Sequence, residues 1–549
     1  MPGYSAGLLG YSSSRVADAR VAAALASTPW RGEPSASLPG TTGAIYALGE
    51  ATAARDGDVS LVLHGRIDRR DGWDADVAAT LTGPDACLAL IEAYRRDGED
   101  FVDRLIGDFA LILVDEHNQS MLATRDWMGT RPLFWGQNEN GVAFASEPAQ
   151  VLVLLDAPYQ LDEDVLEEYA RMGDPPLDAT FALGVRAVMP GEQIIATTGV
   201  KVRANRVVPR FLPIKVSRAS AVETLRERLD TAVSRRTTGA RRLGALISGG
   251  MDSTSVAATA ASLAERGAGP ALVASFTTAY PGLSECDETA YASTVAERWS
   301  VAWHPVPIRS DDFHEWPEIG FGYHFGPTFP TFAIFPKLFA MARSKSVDVL
   351  LTGEAGDEWF AQRNSALRLS ILRGDVRGIM AWTLAGARPN LRTTASQIYR
   401  GLEGRLVRGT RAEAYFEDIP YFWIRYALEQ EEREAMRHGI RAEFPFADRD
   451  LAAYLVGMRP SVRALPRMNK RILRQAMAGL LPESVLLRRG KTRLDPWLAA
   501  ALELQTETSG PPPLSLSARR YAEAWREGLP RHLERVGMAP PLLLGERVN

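Results

Sequence analysis

The string Leu243 to Ser255, LGALISGGMDSTS, gathers groups suited to holding a polyphosphate. Five mostly apolar residues, Leu243–Ile247, run into Ser248, Gly249 and Gly250, followed by Asp252 and the hydroxyls of Ser253, Thr254 and Ser255. The apolar run predicts a short buried strand, and the alanine-rich Val256 to Leu263 predicts a helix. Two glycines at the junction let the backbone turn tightly and approach a ligand closely. Amides at the start of the following helix would point at that ligand, and the helix dipole favours an anion. The hydroxyls would add donors for phosphate oxygens, and Asp252 a carboxylate for a metal riding on those oxygens. An ordinary Gly-Gly turn capped by Asp or Ser carries the same letters. A Walker A loop is excluded, since no Gly-Lys-Ser/Thr follows a four-residue gap.

A second string has the same design. In DVLLTGEAGDEWF, a strand-like run ends at Thr352 and opens into Gly353, Glu354, Gly356, Asp357 and Glu358. If both turns lie at one edge of a sheet, Asp252 and Asp357 can share one Mg²⁺, which commonly takes one or two carboxylates plus phosphate oxygens and water. The other reading makes these acids exposed helix caps. Downstream, Lys470 and Lys491 stand in basic strings, NKRILRQ and RRGKTR. A lysine beside transferring phosphates neutralises developing charge; a lysine on a basic helix is otherwise a solvated face.

The elements that must position these turns alternate. Val222, Leu225, Leu229 and Val233 give a helix with one apolar face ahead of the first strand. ALVASFT (271–277) reads as a strand, Tyr291, Val295 and Trp299 as a helix started by Asp287-Glu288, and VAWHPV as a third strand. Phe332 to Arg343 then reads as a helix and Val347 to Leu351 as a fourth strand. Such alternation predicts an α/β domain with a parallel sheet covered on both faces, with ligands at the carboxyl ends of its strands. From about Ile371 helical patterns dominate, broken by Pro389, Pro420 and Pro445. Before all this, from Thr42 to about Thr198, short strand-like runs such as VSLVLHG, DFALILVD and EQIIATT surround a helical pattern at Cys87, Leu88, Leu90, Ile91 and Tyr94. That predicts a β-rich α+β layer domain. The proline-marked stretch KVRANRVVPRFLPIK divides the chain near residue 205, into 1–205 and 206–549.

With 549 residues, 46% of them hydrophobic and 24% charged, the chain is long enough for at least two cores and too apolar for wholesale disorder. A net charge of −4 leaves no basic footprint for nucleic acid. The two cysteines, Cys87 and Cys286, are too few for a disulfide scaffold or a Cys-rich zinc site and fit a reducing cytoplasm. No signal peptide and no apolar stretch of roughly 18 residues is visible, so a cytoplasmic protein without a membrane span is expected.

SGGMDS resembles the SGGxDS pyrophosphate loop of N-type ATP pyrophosphatases, most closely that of the asparagine synthetase family. LLTGEAGDE is similar to that family's SGEGSDE motif, GIRAEFPFADRD to its G-V-E-A-R-V-P-F-L-D segment, and NKRILR to its K-x-I-L-R motif. Within the first half, Arg125-Asp126, Gly129, Arg131-Pro132-Leu133 and Phe144-Ala145-Ser146-Glu147 resemble the family's glutamine amidotransferase domain. The resemblance implies an N-terminal αββα sandwich of Ntn-amidotransferase type. An α/β adenine nucleotide α-hydrolase-like domain follows, with a helical C-terminal part. It also implies ATP and Mg²⁺, with Asp252 and Asp357 as metal ligands and Glu354 and Lys470 as catalytic groups. Nucleotide contacts would come from Leu246, Ser248, Gly249, Gly250, Asp252, Ser253, Ser275, Thr352, Gly353 and Lys491.

The sequence departs from that family where glutamine would be hydrolysed. Residue 2 is Pro2 where an N-terminal cysteine nucleophile is expected, and the family's Asn-Gly-Glu motif reads His64-Gly65-Arg66. Loss of the nucleophile removes the covalent step, and loss of an oxyanion donor typically costs a further 10²–10³-fold. His64 is then a tolerated surface or core histidine, and the domain a structural or docking platform. The charges of the later segment are exchanged too, with Arg441 for the family's Glu and Glu443 for its Arg, a swap able to keep an ion pair.

An amine must then reach an activated carboxylate from elsewhere. Two branches of the family use an amine within the substrate: β-lactam synthetases, which typically place Tyr where this chain has Glu354, and lasso peptide macrocyclases. The motifs look more like the latter. That implies a precursor peptide substrate, an Asp or Glu side chain activated as acyl-adenylate, and as partners a leader peptidase and a leader-recognition protein. The aromatic run Phe321, Tyr323, Phe325, Phe329 and Phe332 would suit a peptide, or a core. Alternatives are an ammonia-dependent synthetase, a β-lactam synthetase-like enzyme and an ATP-binding pseudo-synthetase. A tRNA-thiolating pyrophosphatase is disfavoured by the lack of a CxxC pair.

Overall fold

The computed structural model describes residues 3–12, 18–70, 83–172, 178–197, 201–206, 214–309, 334–360, 374–384, 421–463 and 470–488, with isolated positions beside these. The aromatic run from Phe321 to Phe332, Lys491 and the proline-rich tail lie outside the described residues.

Twelve short strands build the first half: β1 (Ala6–Tyr11), β2 (Pro34–Pro39), β3 (Ala44–Gly49), β4 (Thr52–Asp56), β5 (Val59–Arg70), β6 (Leu105–Asp115), β7 (Ser120–Arg125), β8 (Phe134–Asn138), β9 (Gly141–Ala145), β10 (Val185–Ala187), β11 (Glu192–Thr197) and β12 (Lys201–Arg206). They form two antiparallel sheets of order β10-β8-β9-β1-β3-β2 and β12-β11-β7-β6-β5-β4. Strand β6 is buried at every position, because both of its faces are covered. Ala110, Ile112 and Val114 share a core with Leu8, Ile45 and Phe144 of the facing sheet. The alternate residues Phe109, Leu111 and Leu113 pack with Cys87, Leu90 and Ile91. Those last three line one face of helix α2 (Pro84–Asp97), so the two-residue period of the strand meets the helical period across the interface. Helices α1 (Asp18–Ala26) and α3 (Pro148–Leu154) carry Val21, Ala24, Val151 and Leu152 against Leu9 and Phe134 on the outer side of the other sheet. The result is the αββα layering expected of the first half.

The second half holds five parallel strands: β13 (Leu243–Leu246), β14 (Leu272–Ala279), β15 (Ala302–Pro307), β16 (Val349–Leu351) and β17 (Arg441–Glu443), in the order β15-β14-β13-β16-β17. Connections from β13 to β15 move the chain outward in one direction, and β16 then returns to the other side of β13. The crevice between β13 and β16 is thus the point where strand order reverses, and the loops leaving these two strands flank it. Helix α4 (Glu163–Met172) belongs to the first half, where Tyr169 packs edge-on against Phe181; around the parallel sheet lie α5 (Arg218–Thr237), α6 (Met251–Glu265), α7 (Thr289–Arg298) and α8 (Phe335–Ser344). A short α9 (Gly356–Trp359) follows, then α10 (Val376–Leu384), α11 (Tyr421–Arg437), α12 (Arg449–Gly457) and α13 (Arg471–Ala476). Among the described residues, no helix is long and apolar enough to cross a membrane.

The halves share one core. Trp127 stacks on Trp359 with ring centroids 5.7 Å apart, and their indole N–H groups donate to the carbonyls of Ala447 and Phe446. Beside this apolar contact lies α11, buried from Ile424 to Met436 except at the half-buried Ala427, although it carries Arg425, Glu429, Glu431, Glu432, Arg433 and Glu434. Its charges are matched from the first half. Arg31 donates to both oxygens of Glu432 at 2.7 and 2.9 Å and to Glu147 at 2.6 and 2.9 Å. Arg125 donates to Glu429 at 2.8 Å, and Arg433 lies 3.0 Å from Glu147. Residues 425, 429, 432, 433 and 436 recur at helical spacing and so face the same way.

Replacing Arg31 by Met would leave Glu147 and Glu432 buried with one fewer partner each. Breaking such a pair from one side costs about 3–5 kcal/mol, so urea titration of Arg31→Met should show a loss of that order, and an unchanged midpoint would contradict the pairing.

Candidate active site

The loop after β13 turns on Gly249, which holds φ +71° and whose added Cβ would lie 2.8 Å from the Cβ of Tyr291. Neither the conformation nor the space admits a larger residue there. Gly250 is the N-cap of α6 and offers no side chain to cap it, so the first amides of a fifteen-residue helix face the cleft. The Ser248 amide donates to Ser253 Oγ at 2.9 Å, and the two serine hydroxyls lie 2.9 Å apart. The helix starts at Met251, ahead of the expected Val256. The hydroxyls of Thr254 and Ser255 therefore turn inward and donate to the carbonyls of Gly250 and Met251, one helical turn back. Expected as phosphate donors, both are fully buried.

The loop after β16 meets the first one backbone to backbone. A Cβ on Gly353 would lie 2.5 Å from the amide nitrogen of Ser253, and one on Gly356 would lie 2.5 Å from Asp252 Cγ. Glycine at these two positions is what lets the loops touch. Between them Ala355 holds a left-handed conformation, φ +65° and ψ 2°. That conformation costs an L-residue roughly 1–2 kcal/mol and costs glycine nothing.

Lys470 closes the site from the opposite side, at the N-cap of α13. Its ammonium donates to Asp252 Oδ2 and lies 2.5 Å from Asp357 Oδ1. Burial alone would lower its pKa, but the two carboxylates outweigh burial and hold the ammonium above the ordinary lysine value. One cation thus already bridges both acids, so the pair is close enough to share a divalent ion. Among the described residues no group of three or more His, Cys, Asp or Glu could hold a metal. An Mg²⁺ between Asp252 and Asp357 would therefore complete its shell with phosphate oxygens and water, as Mg²⁺ does on nucleotides.

Together these parts line a cleft of about 340 Å³. Leu246, Phe276, Ile334, Phe335 and Leu338 form an apolar wall suited to a flat base, and Thr352 and Gly353 form the floor. Three acids, Glu354, Glu358 and Glu431, line it too. Burial, then Glu354, pushes the Glu358 carboxyl up to about 8.

The structure brings together Leu246, Ser248, Gly249, Gly250, Asp252, Ser253, Thr352, Gly353, Glu354, Asp357 and Lys470. Ser275 stands apart: it is buried within β14, and its hydroxyl donates to Ala302 in the next strand. The residues that follow it, Phe276, Thr277 and Thr278, line the cleft instead, being nearer the carboxyl end of the strand. Arg488 and Glu431 are additional lining residues that the motifs did not pick out, and Arg474, the last residue of NKRILR, lines the cleft as well. Arg488 pairs with Glu288 at 2.7 Å, donates to the Gly249 carbonyl at 3.1 Å and lies over the Tyr291 ring. It thus braces the first loop from outside. The basic string RRGK was a signal for it, spent on Lys491.

Residues 224–536 match the family described as asparagine synthase, and residues 55–206 that described as glutamine amidotransferase domain. The chain belongs to the asparagine synthase family. It is 31% identical over 285 residues to a putative glutamine-hydrolyzing asparagine synthetase of Mycobacterium tuberculosis, covering 50% of this chain and 42% of that protein. It is 23% identical over 430 residues to asparagine synthetase 3 of Bacillus subtilis, covering 73% and 69%. To the amidase chry2 of Gibberella zeae it is 25% identical over 327 residues, covering 55% and 47%. The chain spans about half the length of several curated relatives it matches.

In this asparagine synthase-type chain, the amidotransferase positions hold structural charges. Arg66, in place of the family's Glu, pairs with Asp68 at 2.8 Å, Asp108 at 2.7 Å and Glu443 at 2.9 Å. Glu443, in place of the family's Arg, also accepts from Arg131 and lies 3.0 Å from Arg441. The exchange of charges at 441 and 443 therefore includes a third position, Arg66, across the domain interface. His64 is fully buried, and neither ring nitrogen has a hydrogen-bond partner among the described residues. Burial, then Arg131 and Arg31, holds it well below the ordinary histidine value, so the ring is neutral.

Two substitutions should separate geometry from strain. Gly356→Ala would displace Asp252 and, with overpacking costs of about 1–3 kcal/mol, should weaken Mg·ATP binding by roughly tenfold or more, read by calorimetric titration. Ala355→Gly removes the left-handed penalty against a glycine entropy cost of about 0.5–1 kcal/mol. It should raise the thermal midpoint slightly and leave nucleotide affinity unchanged; a fall in either would contradict the assigned strain.

Proposed function

We propose that this chain is an ATP-dependent, AMP-forming macrolactam synthetase acting on a peptide, a lasso peptide cyclase. Residues 206–549 carry the ligase and residues 1–205 serve as its scaffold. A substrate carboxylate, the side chain of an Asp or Glu in a precursor peptide, attacks the α-phosphorus of ATP. Pyrophosphate leaves and an acyl-adenylate forms. The N-terminal amine of the same peptide then displaces AMP to give the ring amide. The open amides of α6, Ser248 and Ser253 cradle the departing pyrophosphate, and Lys470 neutralises its charge. Asp252 and Asp357 would hold Mg²⁺, which supplies further neutralisation of the phosphates when bound. Holding both reacting groups in one cleft supplies much of the acceleration.

The observation that carries this reading is the state of the amidotransferase half. Arg66 is committed to three carboxylates and His64 is buried and neutral, which favours an amine supplied by the substrate over ammonia released from glutamine. Glu354, where β-lactam synthetases carry Tyr, weighs against the β-lactam branch. On this reading the partners are the precursor peptide, a leader peptidase and a leader-recognition protein, in the cytoplasm; both cysteines are buried and unbridged, as a reducing compartment would leave them.

The full chain incubated with Mg²⁺, ATP, a candidate precursor peptide and a leader peptidase should convert that peptide to a product lighter by one water. One AMP and one pyrophosphate should appear per ring, with no need for glutamine. An unchanged peptide mass, or amidation of free aspartate that depends on glutamine, would overturn the proposal.

A further inference from the structure

The loop from Ser248 to Gly250 offers amides to an anion only while its peptide planes keep one orientation. In a planar trans peptide the C=O and N–H point opposite ways, so turning over the plane between Gly249 and Gly250 would swap a donor for a carbonyl that repels phosphate. Two adjacent glycines make that turn sterically easy. Neighbouring carbonyls are held by nearby hydroxyls: Thr277 donates to Ile247 at 2.6 Å, and Thr254 and Ser255 donate to Gly250 and Met251. The Gly249 carbonyl accepts instead from a charged side chain far along the chain, Arg488 Nη1 at 3.1 Å. At the other end of that peptide, the Gly250 amide faces the Ser248 hydroxyl at 3.3 Å. Arg488 is itself held on several sides. Its Nη2 pairs with Glu288 Oε1 at 2.7 Å and donates to Thr492 Oγ1, and its guanidinium lies 4.3 Å from the centroid of the Tyr291 ring. Glu288 is the N-cap of α7, and a Cβ on Gly249 would lie 3.1 Å from the Glu288 carbonyl oxygen, so loop and arginine rest on the same helix end. Arg488 follows a helical turn, Glu483–Leu486, whose Val485 and Leu486 carbonyls accept from Arg474 at 3.2 and 2.7 Å. Arg474 belongs to α13, whose N-cap is Lys470. One helix thus presents Lys470 and, through Arg474, places Arg488.

We propose that Arg488 is a positioning residue of the phosphate loop, fixing the Gly249–Gly250 peptide so that its N–H meets the anion. This rests on the ATP-dependent step of the function above. Both terminal nitrogens of Arg488 are already engaged, so its part is to hold the loop and not to bind phosphate. Glu288 is the other half of the device. Unpaired, an acid lining the cleft would repel phosphate; paired, it takes up the guanidinium charge and aims Nη1 at the Gly249 carbonyl. Arginine suits this place because one planar fork reaches a carboxylate and a carbonyl in fixed geometry, whereas lysine offers a point charge on a flexible stem. The ligand group that depends on the brace is the terminal diphosphate of ATP. AMP has no β- or γ-phosphate to set on the loop and owes nothing to it.

Calorimetric titration of the full chain with Mg·ATP, Mg·pyrophosphate and AMP separates positioning from direct charge. Arg488→Lys keeps the charge and should weaken Mg·ATP and Mg·pyrophosphate by roughly tenfold or more, the worth of a hydrogen bond from a charged group, with AMP affinity unchanged. Glu288→Gln should also weaken Mg·ATP, because the arginine loses its anchor. Were Arg488 a direct phosphate ligand, freeing it from Glu288 would tighten Mg·ATP, and lysine would largely replace it. Either result overturns the assignment, and so does an equal loss of AMP affinity, which would mark general damage to the cleft. Should Arg488→Lys not fold, the sign of the Glu288→Gln change still decides. A wild-type chain that binds no Mg·ATP would remove the ATP-dependent function together with this assignment. Mg·ATP binding that Glu288→Gln tightens would remove the brace alone.

Discussion

Buried charge at the junction of the two halves is the constraint on which the rest of this molecule depends. Taking an ion out of water costs several kcal/mol even after relaxation, and this interface does so repeatedly. Glu443 is met by Arg66, Arg131 and Arg441, Asp108 by Arg66 and Arg236, and Asp448 by Arg235 and Arg236. Such a network tolerates one docking geometry only, because sliding either half strands charges that water no longer reaches. An apolar interface of equal area would hold as well but would fix position less sharply. The Trp127–Trp359 stack supplies the apolar part of the adhesion, and the ion pairs supply register.

That register reaches the chemistry through two elements. Strand β17, which carries Glu443, is the edge partner of β16, and the Glu443 carbonyl accepts the amide of Thr352 at the start of the acidic loop. Helix α11 carries Glu431 from the arginines of the first half to Glu354. The first half thus has a mechanical role in holding the ligase loops, whatever chemistry it carries. The inversion of Arg66 and Glu443 relative to the family's pattern fits that role. Position 66 here is the interface's cation, paired with Asp68, Asp108 and Glu443.

Much of the site was legible in the sequence, because glycine and strand patterns are local. Strand-then-glycine at 243–250 and 347–356 placed both loops, and the alternation of elements put them at adjacent strand ends. Legibility failed where partners are distant or a local bond competes. Thr254 and Ser255 read as phosphate donors, but hydroxyls in a first helical turn can bond the carbonyl one turn back, and here they do. Ser275 sits too early in β14 to reach the crevice. The charges of YALEQEEREAMR resemble an exposed helix face, and Glu431 was invisible among them; their partners Arg31 and Arg125 lie some three to four hundred residues away. The compensating exchange at Arg66 was likewise beyond reach until the halves were seen together.

Lys470 presently stands between Asp252 and Asp357, where a divalent cation would neutralise the same two acids. The site's identity as a Mg·ATP pyrophosphate centre therefore turns on whether nucleotide displaces that ammonium. A crystal structure of the full chain with Mg²⁺ and a non-hydrolysable ATP analogue decides it. The expected result is Mg²⁺ between the two aspartates, the terminal phosphates on the Ser248–Ser253 loop and the Lys470 ammonium moved onto a phosphate oxygen. Nucleotide bound elsewhere, with Lys470 still bridging both carboxylates, would contradict it.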